Sequence, residues 1–197
     1  PENIAENRNR ALGDLTINMS QVSYLNQIHS NIVCQAQVGK QTGDALVTNQ
    51  KGLAIAVGAA DCYPVLFYDE KNQVIGAAHC GWKGTLSKIV KNTIDEMVKL
   101  GAEVSEIKVA IGQGICKSNY EVSDDVIQQF KSAGFINDCW DGRQLDLLQA
   151  NRFVALESGI KPEHIWSMNR CTTEDDFFSY RRDNGKTGRM WALIMLK

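Results

Sequence analysis

The stretch AIAVGAADCYPVLFYDEKNQVIGAAHCGW, residues 54–82, decides how the chain reads. LAIAVGA (53–59), PVLFYD (64–69) and QVIGAAHC (73–80) are short apolar runs set off by Gly or polar residues, as buried strands are. The polar turn EKN between the last two predicts a hairpin. Asp61, Cys62 and His79 interrupt these runs with reactive side chains near strand ends, and any function has to account for them.

Working outward, ENIAENRNRAL (2–12) suits a polar helix, QVSYLNQIHSNIV (21–33) a strand carrying His29 near its end, and DALVT (44–48) another strand. Beyond the turn GWKG (81–84), Leu86, Ile89, Val90, Ile94, Met97, Val98 and Leu100 recur at helical spacing, and Gly101 ends the helix. EIKVAIG (106–112) reads as a strand, VSDDVIQQFKSAG (122–134) as a helix capped by Ser123, and LDLLQANRFVALESG (145–159) as a third amphipathic helix. HIWSMN (164–169) and RMWALIML (189–196) close the chain as strands. Strands and helices interleave without a linker or repeat, which predicts an α/β (α+β) fold: one domain over 1–197, with helices packed on a mixed sheet.

The bulk numbers narrow the function. Twenty-one Lys plus Arg stand against 23 Asp plus Glu in 197 residues, with no block of like charge to attract nucleic acid or an anionic membrane. A small-molecule substrate is the expected partner. No run is long and apolar enough to span a membrane. The six cysteines, at 34, 62, 80, 116, 139 and 171, contain no CxxC pair and suggest reduced thiols in a cytoplasmic protein. Because the chain opens at Pro1, a missing leading segment is also expected.

Of only three histidines, His29 and His79 fall at ends of apolar strands, and Cys62 ends a third. Two imidazoles and a thiolate are ligands that Zn(II) favours, and three protein ligands leave one position open for chemistry. Cys62 follows His29 by 33 residues and precedes His79 by 17, too far for a zinc finger but suited to neighbouring strands. The alternative is a buried small hydrophobe beside hydrogen-bonded core histidines. Cys80 points to the opposite face from His79 and reads as packing; His164, after Pro162, reads as an exposed loop residue. Asp61 either orients a ligand histidine or caps local amides. GWKG is either an anion-binding helix start or a plain tight turn. FFSYRRDNGKTGR (177–189) gathers Arg181, Arg182, Lys186 and Arg189, either as an oxyanion site or as a solvated basic loop.

Taken together, NQIHSNIV, GDALVTNQKGLAIAVGAADCYPVLFYD, VIGAAHCGWKGTL, VAIGQGICKSNYEVSDDV, LDLLQANR and CTTEDDFFSYRRDNGKTGR resemble, in order, the motifs of the YfiH family. Its members were named multicopper polyphenol oxidase or laccase domain proteins and later reassigned as purine nucleoside enzymes. The resemblance runs from about Glu6 to the C-terminus. It implies a three-layer sandwich and a zinc site on His29, Cys62 and His79. It further implies phosphorolysis of adenosine, inosine and methylthioadenosine, and deamination of adenosine. Cys62, Asp61 and Arg182 are then the candidate catalytic residues, and Arg181 and Arg182 the candidate phosphate ligands. Copper-dependent phenol oxidation and a metal-free Cys62–His79 hydrolase are the alternatives. A laccase, however, needs a trinuclear copper cluster with many more histidines than three. The chain departs from the family pattern at Cys80, where Ala is usual, and at IGQGI, where IGP followed by an apolar pair is typical.

Overall fold

A computed structural model describes residues 2–197. The elements are α1 (Glu2–Asp14), β1 (Val22–Asn26), β2 (Val33–Gln35), β3 (Gly39–Thr42), β4 (Ala45–Thr48), β5 (Ala54–Ala59), β6 (Tyr63–Asp69) and β7 (Val74–Cys80). They continue as α2 (Trp82–Leu86), α3 (Ile89–Lys99), β8 (Lys108–Ile111), α4 (Asp124–Ser132), β9 (Trp140–Asp141), β10 (Gln144–Leu145), α5 (Leu147–Glu157), β11 (Ile165–Ser167) and β12 (Met190–Met195).

The strands divide between two main sheets. A six-stranded mixed sheet has the order β11-β8-β6-β7-β4-β2, and a four-stranded sheet the order β12-β5-β1-β3; β9 and β10 form a small ribbon. The predicted hairpin is the antiparallel β6–β7 pair, in register from Tyr63 opposite Cys80 to Asp69 opposite Val74. Strand alternation then sorts the side chains. Val65, Phe67, Val74, Ala78 and Cys80 face a core shared with α3, α4 and α5, which includes Ile94, Phe130 and Val154. Ile75 and Ala77, from the opposite face of β7, meet Leu25, Ile55 and Val57 of the other sheet. Helices and two stacked sheets thus make three layers. Helix α1 covers the free face of the four-stranded sheet through Leu12, packed with Val22, Ala54 and Ala56.

Three local readings need correction. The segment 21–33 is not one strand: β1 stops at Asn26, and His29 sits in a left-handed turn (φ 57°) because the Asp44 carboxylate captures the amides of Ile28, His29 and Ser30. The helix after GWKG is broken at Lys88 (φ 57°), which separates α2 from α3. Ser123 holds the N-cap position of α4 without a side-chain cap bond, whereas Asp146 caps α5 by accepting from the Gln149 amide.

The cysteines also differ from expectation. Cys116 and Cys171 are joined by a disulfide across 55 residues, so the expectation of reduced thiols fails for this pair. A bridge between Gly114 and Cys171 brings the two segments alongside each other, a pairing invisible in sequence spacing. Cys80 and Cys139 are buried in the core.

Candidate metal centre and adjoining cavity

The site forms where β1, β5 and β7 end and β4 and β6 begin. His79 is on the same face of β7 as Ile75 and Ala77, so it points between the sheets at their edge. Cys62 sits one residue before β6, in the turn from β5, rather than at the end of a strand. His29 arrives from the turn after β1. Their ligand-type atoms all lie within 4.8 Å of one another, with Cys62 Sγ 4.0 Å from His29 Nε2. Around a tetrahedral zinc, ligand atoms stand roughly 3.4–3.6 Å apart, so a small inward movement would close this set on an ion. One thiolate and two imidazoles suit that metal, and the residues present therefore fit the group. Gly81 makes room for them. A Cβ there would stand 2.9 Å from Cys62 Sγ and 3.0 Å from His29 Cδ2.

Asp44, which no pattern in the sequence singles out, is the organiser. It is fully buried one residue before β4, and β4 pairs with β7 so that the Asp44 carbonyl accepts the His79 amide at 2.7 Å. Its carboxylate lies 2.9 Å from His79 Nδ1, which leaves Nε2 to face the cluster. The same carboxylate accepts the amides of Ile28, His29 and Ser30 and the Ser30 hydroxyl. One residue thus orients the His79 ring and shapes the turn presenting His29, the role that second carboxylates play at metal histidines. The local signal was an acid directly before an apolar strand, which is also what a plain turn shows.

The charges reinforce one another. Burial alone would raise Asp44, but hydrogen bonds from His79 and Ser30 outweigh it and hold the carboxyl down to about 2. Burial would pull His79 down, yet the contacts with Asp44 and then Cys62 raise it to about 9. Burial would push the Cys62 thiol up, and the hydrogen bonds and charges of His29 and His79 bring it down to about 7. A metal needs neutral imidazole and thiolate, so protons compete with it below these values. Zinc affinity is expected to rise with pH from 6 to about 9 and flatten above, by roughly tenfold per unit for each proton displaced. Competition against a chromogenic chelator at several pH values checks this; a flat profile would contradict these protonation states.

The cluster opens into a cavity of 640 Å³. Tyr24, Trp82, Tyr120, Tyr180 and Trp191 give it aromatic walls, and Arg8, Arg181 and Arg189 bring three guanidinium groups. The Arg8 guanidinium lies 4.1 Å over the Trp191 ring and forms no ion pair among the described residues. Arg181 donates to the carbonyls of Asn119 and Glu121 at 3.3 and 3.1 Å and lies over Tyr120.

The other expected site residues fall differently. Arg182 does not line this cavity; its guanidinium donates to Asp183 and to the carbonyls of Glu174 and Phe177 beside a separate surface hollow. Adjacent residues on an irregular segment point apart, which the RR dipeptide could not reveal. Asp61 orients neither histidine. Its carboxylate accepts from the Thr172 and Ser179 hydroxyls and the Arg181 amide. His164 is half-buried rather than exposed, with Nδ1 3.3 Å from the Ile107 carbonyl oxygen. GWKG serves as the close passage at Gly81, leading into a helix of five residues.

Over residues 1–197 the chain matches the family described as multi-copper polyphenol oxidoreductase laccase. It is 48% identical over 202 residues to a purine nucleoside phosphorylase of Deinococcus radiodurans, covering 100% of this chain and 78% of that protein. It is 36% identical over 163 residues to adenosine deaminase RL5 from an unknown prokaryotic organism, covering 78% and 62% respectively. The crystal structure of Bacillus licheniformis YfiH superposes with a TM-score of 0.92 at 29% identity, over 98% of this chain and 80% of that one. YlmD from Geobacillus stearothermophilus gives 0.91 at 30% identity, over 97% and 79%.

Proposed function

Because the chain belongs to the family described as multi-copper polyphenol oxidoreductase laccase, and its relatives are named for purine nucleoside chemistry, we propose that it is a zinc-dependent purine nucleoside phosphorylase. Inosine, adenosine and methylthioadenosine are the proposed nucleosides. One observation carries the reading: the His29, Cys62 and His79 cluster opens into a cavity with both aromatic walls and three arginines. Flat rings suit a purine base, against which they can stack. Guanidinium groups suit phosphate, which they bind through paired hydrogen bonds. We assign the phosphate to Arg181 with Arg8 and Arg189, replacing the pair Arg181 and Arg182.

In phosphorolysis, a phosphate oxygen bonds to the anomeric carbon of the ribose as the glycosidic C–N bond breaks. The bonding pair passes to the purine, which takes up a proton. The chain's own contribution is to hold phosphate and nucleoside in line and to balance the charge that moves between them. A zinc ion bound by His29, Cys62 and His79 would supply Lewis acidity at the cavity wall.

Deamination of adenosine is the second activity considered, on the strength of the relative named adenosine deaminase RL5. Zinc deaminases use a carboxylate near the metal as acid and base. Among the described residues lining this cavity, the sole carboxylate is Asp61, already engaged by three donors, which favours phosphorolysis as the main reaction. Copper-based phenol oxidation is disfavoured because three histidines do not supply a trinuclear cluster.

Purified protein of known metal content, given inosine, should release hypoxanthine and ribose 1-phosphate only when phosphate is present, as read by HPLC. Base release without phosphate would make it a hydrolase. Conversion of adenosine to inosine as the main product would make it a deaminase. Turnover that survives chelation but not thiol alkylation would favour the metal-free hydrolase.

A further inference from the structure

Asp61 has backbone and side-chain partners that link two otherwise separate parts of the cavity. It is 8% exposed and stands next to Cys62 in the left-handed region (φ 84°), a conformation that a non-glycine residue keeps only when its surroundings hold it there. One carboxylate oxygen accepts the Thr172 hydroxyl at 2.6 Å and the Ser179 hydroxyl at 2.8 Å. The other accepts the Arg181 amide at 2.6 Å. All three donors belong to the irregular segment between β11 and β12. The Asp61 carbonyl in turn accepts the Ile115 amide at 2.8 Å, in the loop that the Cys116–Cys171 disulfide ties to the same segment.

That segment carries Tyr180 and Arg181 into the cavity, yet it contributes no regular strand or helix between Ser167 and Met190 that would fix its position. A carboxylate can accept three donors at once, and charge-assisted bonds of this kind are the stronger ones. We infer that Asp61 is a positioning residue: from the position next to Cys62, it sets where Arg181 stands relative to the His29, Cys62 and His79 cluster. It holds the anion end of the cavity in place instead of moving a proton. The anion role of Arg181 rests on the function proposed above, whereas the clamp itself does not.

Two readouts on the metal-loaded enzyme separate these parts. In Asp61→Asn, an amide NH2 replaces one acceptor oxygen, so at least one donor loses its partner. Metal content should match wild type. Amide hydrogen exchange at residues 179–182 should accelerate by about tenfold, the loss of one charge-assisted bond. KM for phosphate should rise by about the same factor, with kcat and KM for inosine little changed. Thr172→Val should shift both readouts in the same direction more weakly, and Thr172→Ser, which keeps the hydroxyl, should restore them. Thr172→Val also serves if Asp61→Asn does not fold. Unchanged exchange in both variants would overturn the clamp, and a fall in kcat with phosphate KM unaltered would overturn its role at the anion end and assign Asp61 to proton transfer instead. If wild type shows no phosphate-dependent turnover, the proposed function fails, and the exchange experiment still decides the clamp.

Discussion

Cys62→Ala is expected to lose bound zinc and to lower inosine phosphorolysis by about three orders of magnitude or more, because it removes the one thiolate of the cluster and the charge that balances the metal. The protein should still fold. Cys62 lies in a turn, and only its sulfur is removed, from the wall of a cavity. Metal quantification, circular dichroism and the HPLC assay on one preparation check all three statements. Chelated wild type should behave like the variant, and full turnover in either would refute the metal-dependent reading. Cys62→His is the instructive companion: it can keep a three-ligand site with a different charge, so partial metal retention with depressed turnover is the expected result.

Asp44→Asn is expected to have the second largest effect and to act on both metal and stability. Its carboxylate serves four backbone and hydroxyl donors as well as His79 Nδ1, and an amide can accept on one oxygen only. Loss of the group that orients His79 and the His29 turn should weaken zinc binding roughly 10- to 100-fold. Donors left buried without an acceptor should cost on the order of 3 kcal/mol of stability. The pH dependence identifies the residue. The Asp44 carboxyl is held to about 2 against an ordinary 3.8, so its stabilising contribution is complete above about pH 4 and disappears as pH falls toward 2. Wild type should lose stability over that window, and Asp44→Asn should lack that component of the acid limb. Denaturant melts at pH 2.5, 4 and 7 provide the comparison; parallel losses in both proteins would remove Asp44 from this role.

These two residues mark the limits of reading the site from sequence. Cys62 and His79 stand out because reactive groups end or interrupt apolar runs, a pattern contained within a few residues. His29 stands out the same way, although the strand assigned around it is a turn in the structure. Asp44 opens the DALVT run as an ordinary turn acid would, and only the β4–β7 pairing places it against His79. Arg8 reads as one more exposed cation on a polar helix until α1 lays it over Trp191, 183 positions along the chain. Likewise, Arg181 and Arg182 are equivalent in sequence, yet one lines the cavity and its neighbour turns to Asp183.

From sequence alone followed the main helices, most of the longer strands, the hairpin at 64–80 and the three reactive groups near strand ends, but not the short strands β2, β3, β9 and β10. Each rests on periodicity, turn chemistry or composition, which are properties of neighbouring residues. Tertiary structure decided how the strands divide into two sheets, which acid holds the histidines, which arginines share the cavity and which cysteines join. Those outcomes depend on the lateral order of strands and on the paths of irregular segments. Nothing local encodes either, because the groups concerned meet only after the sheets have assembled.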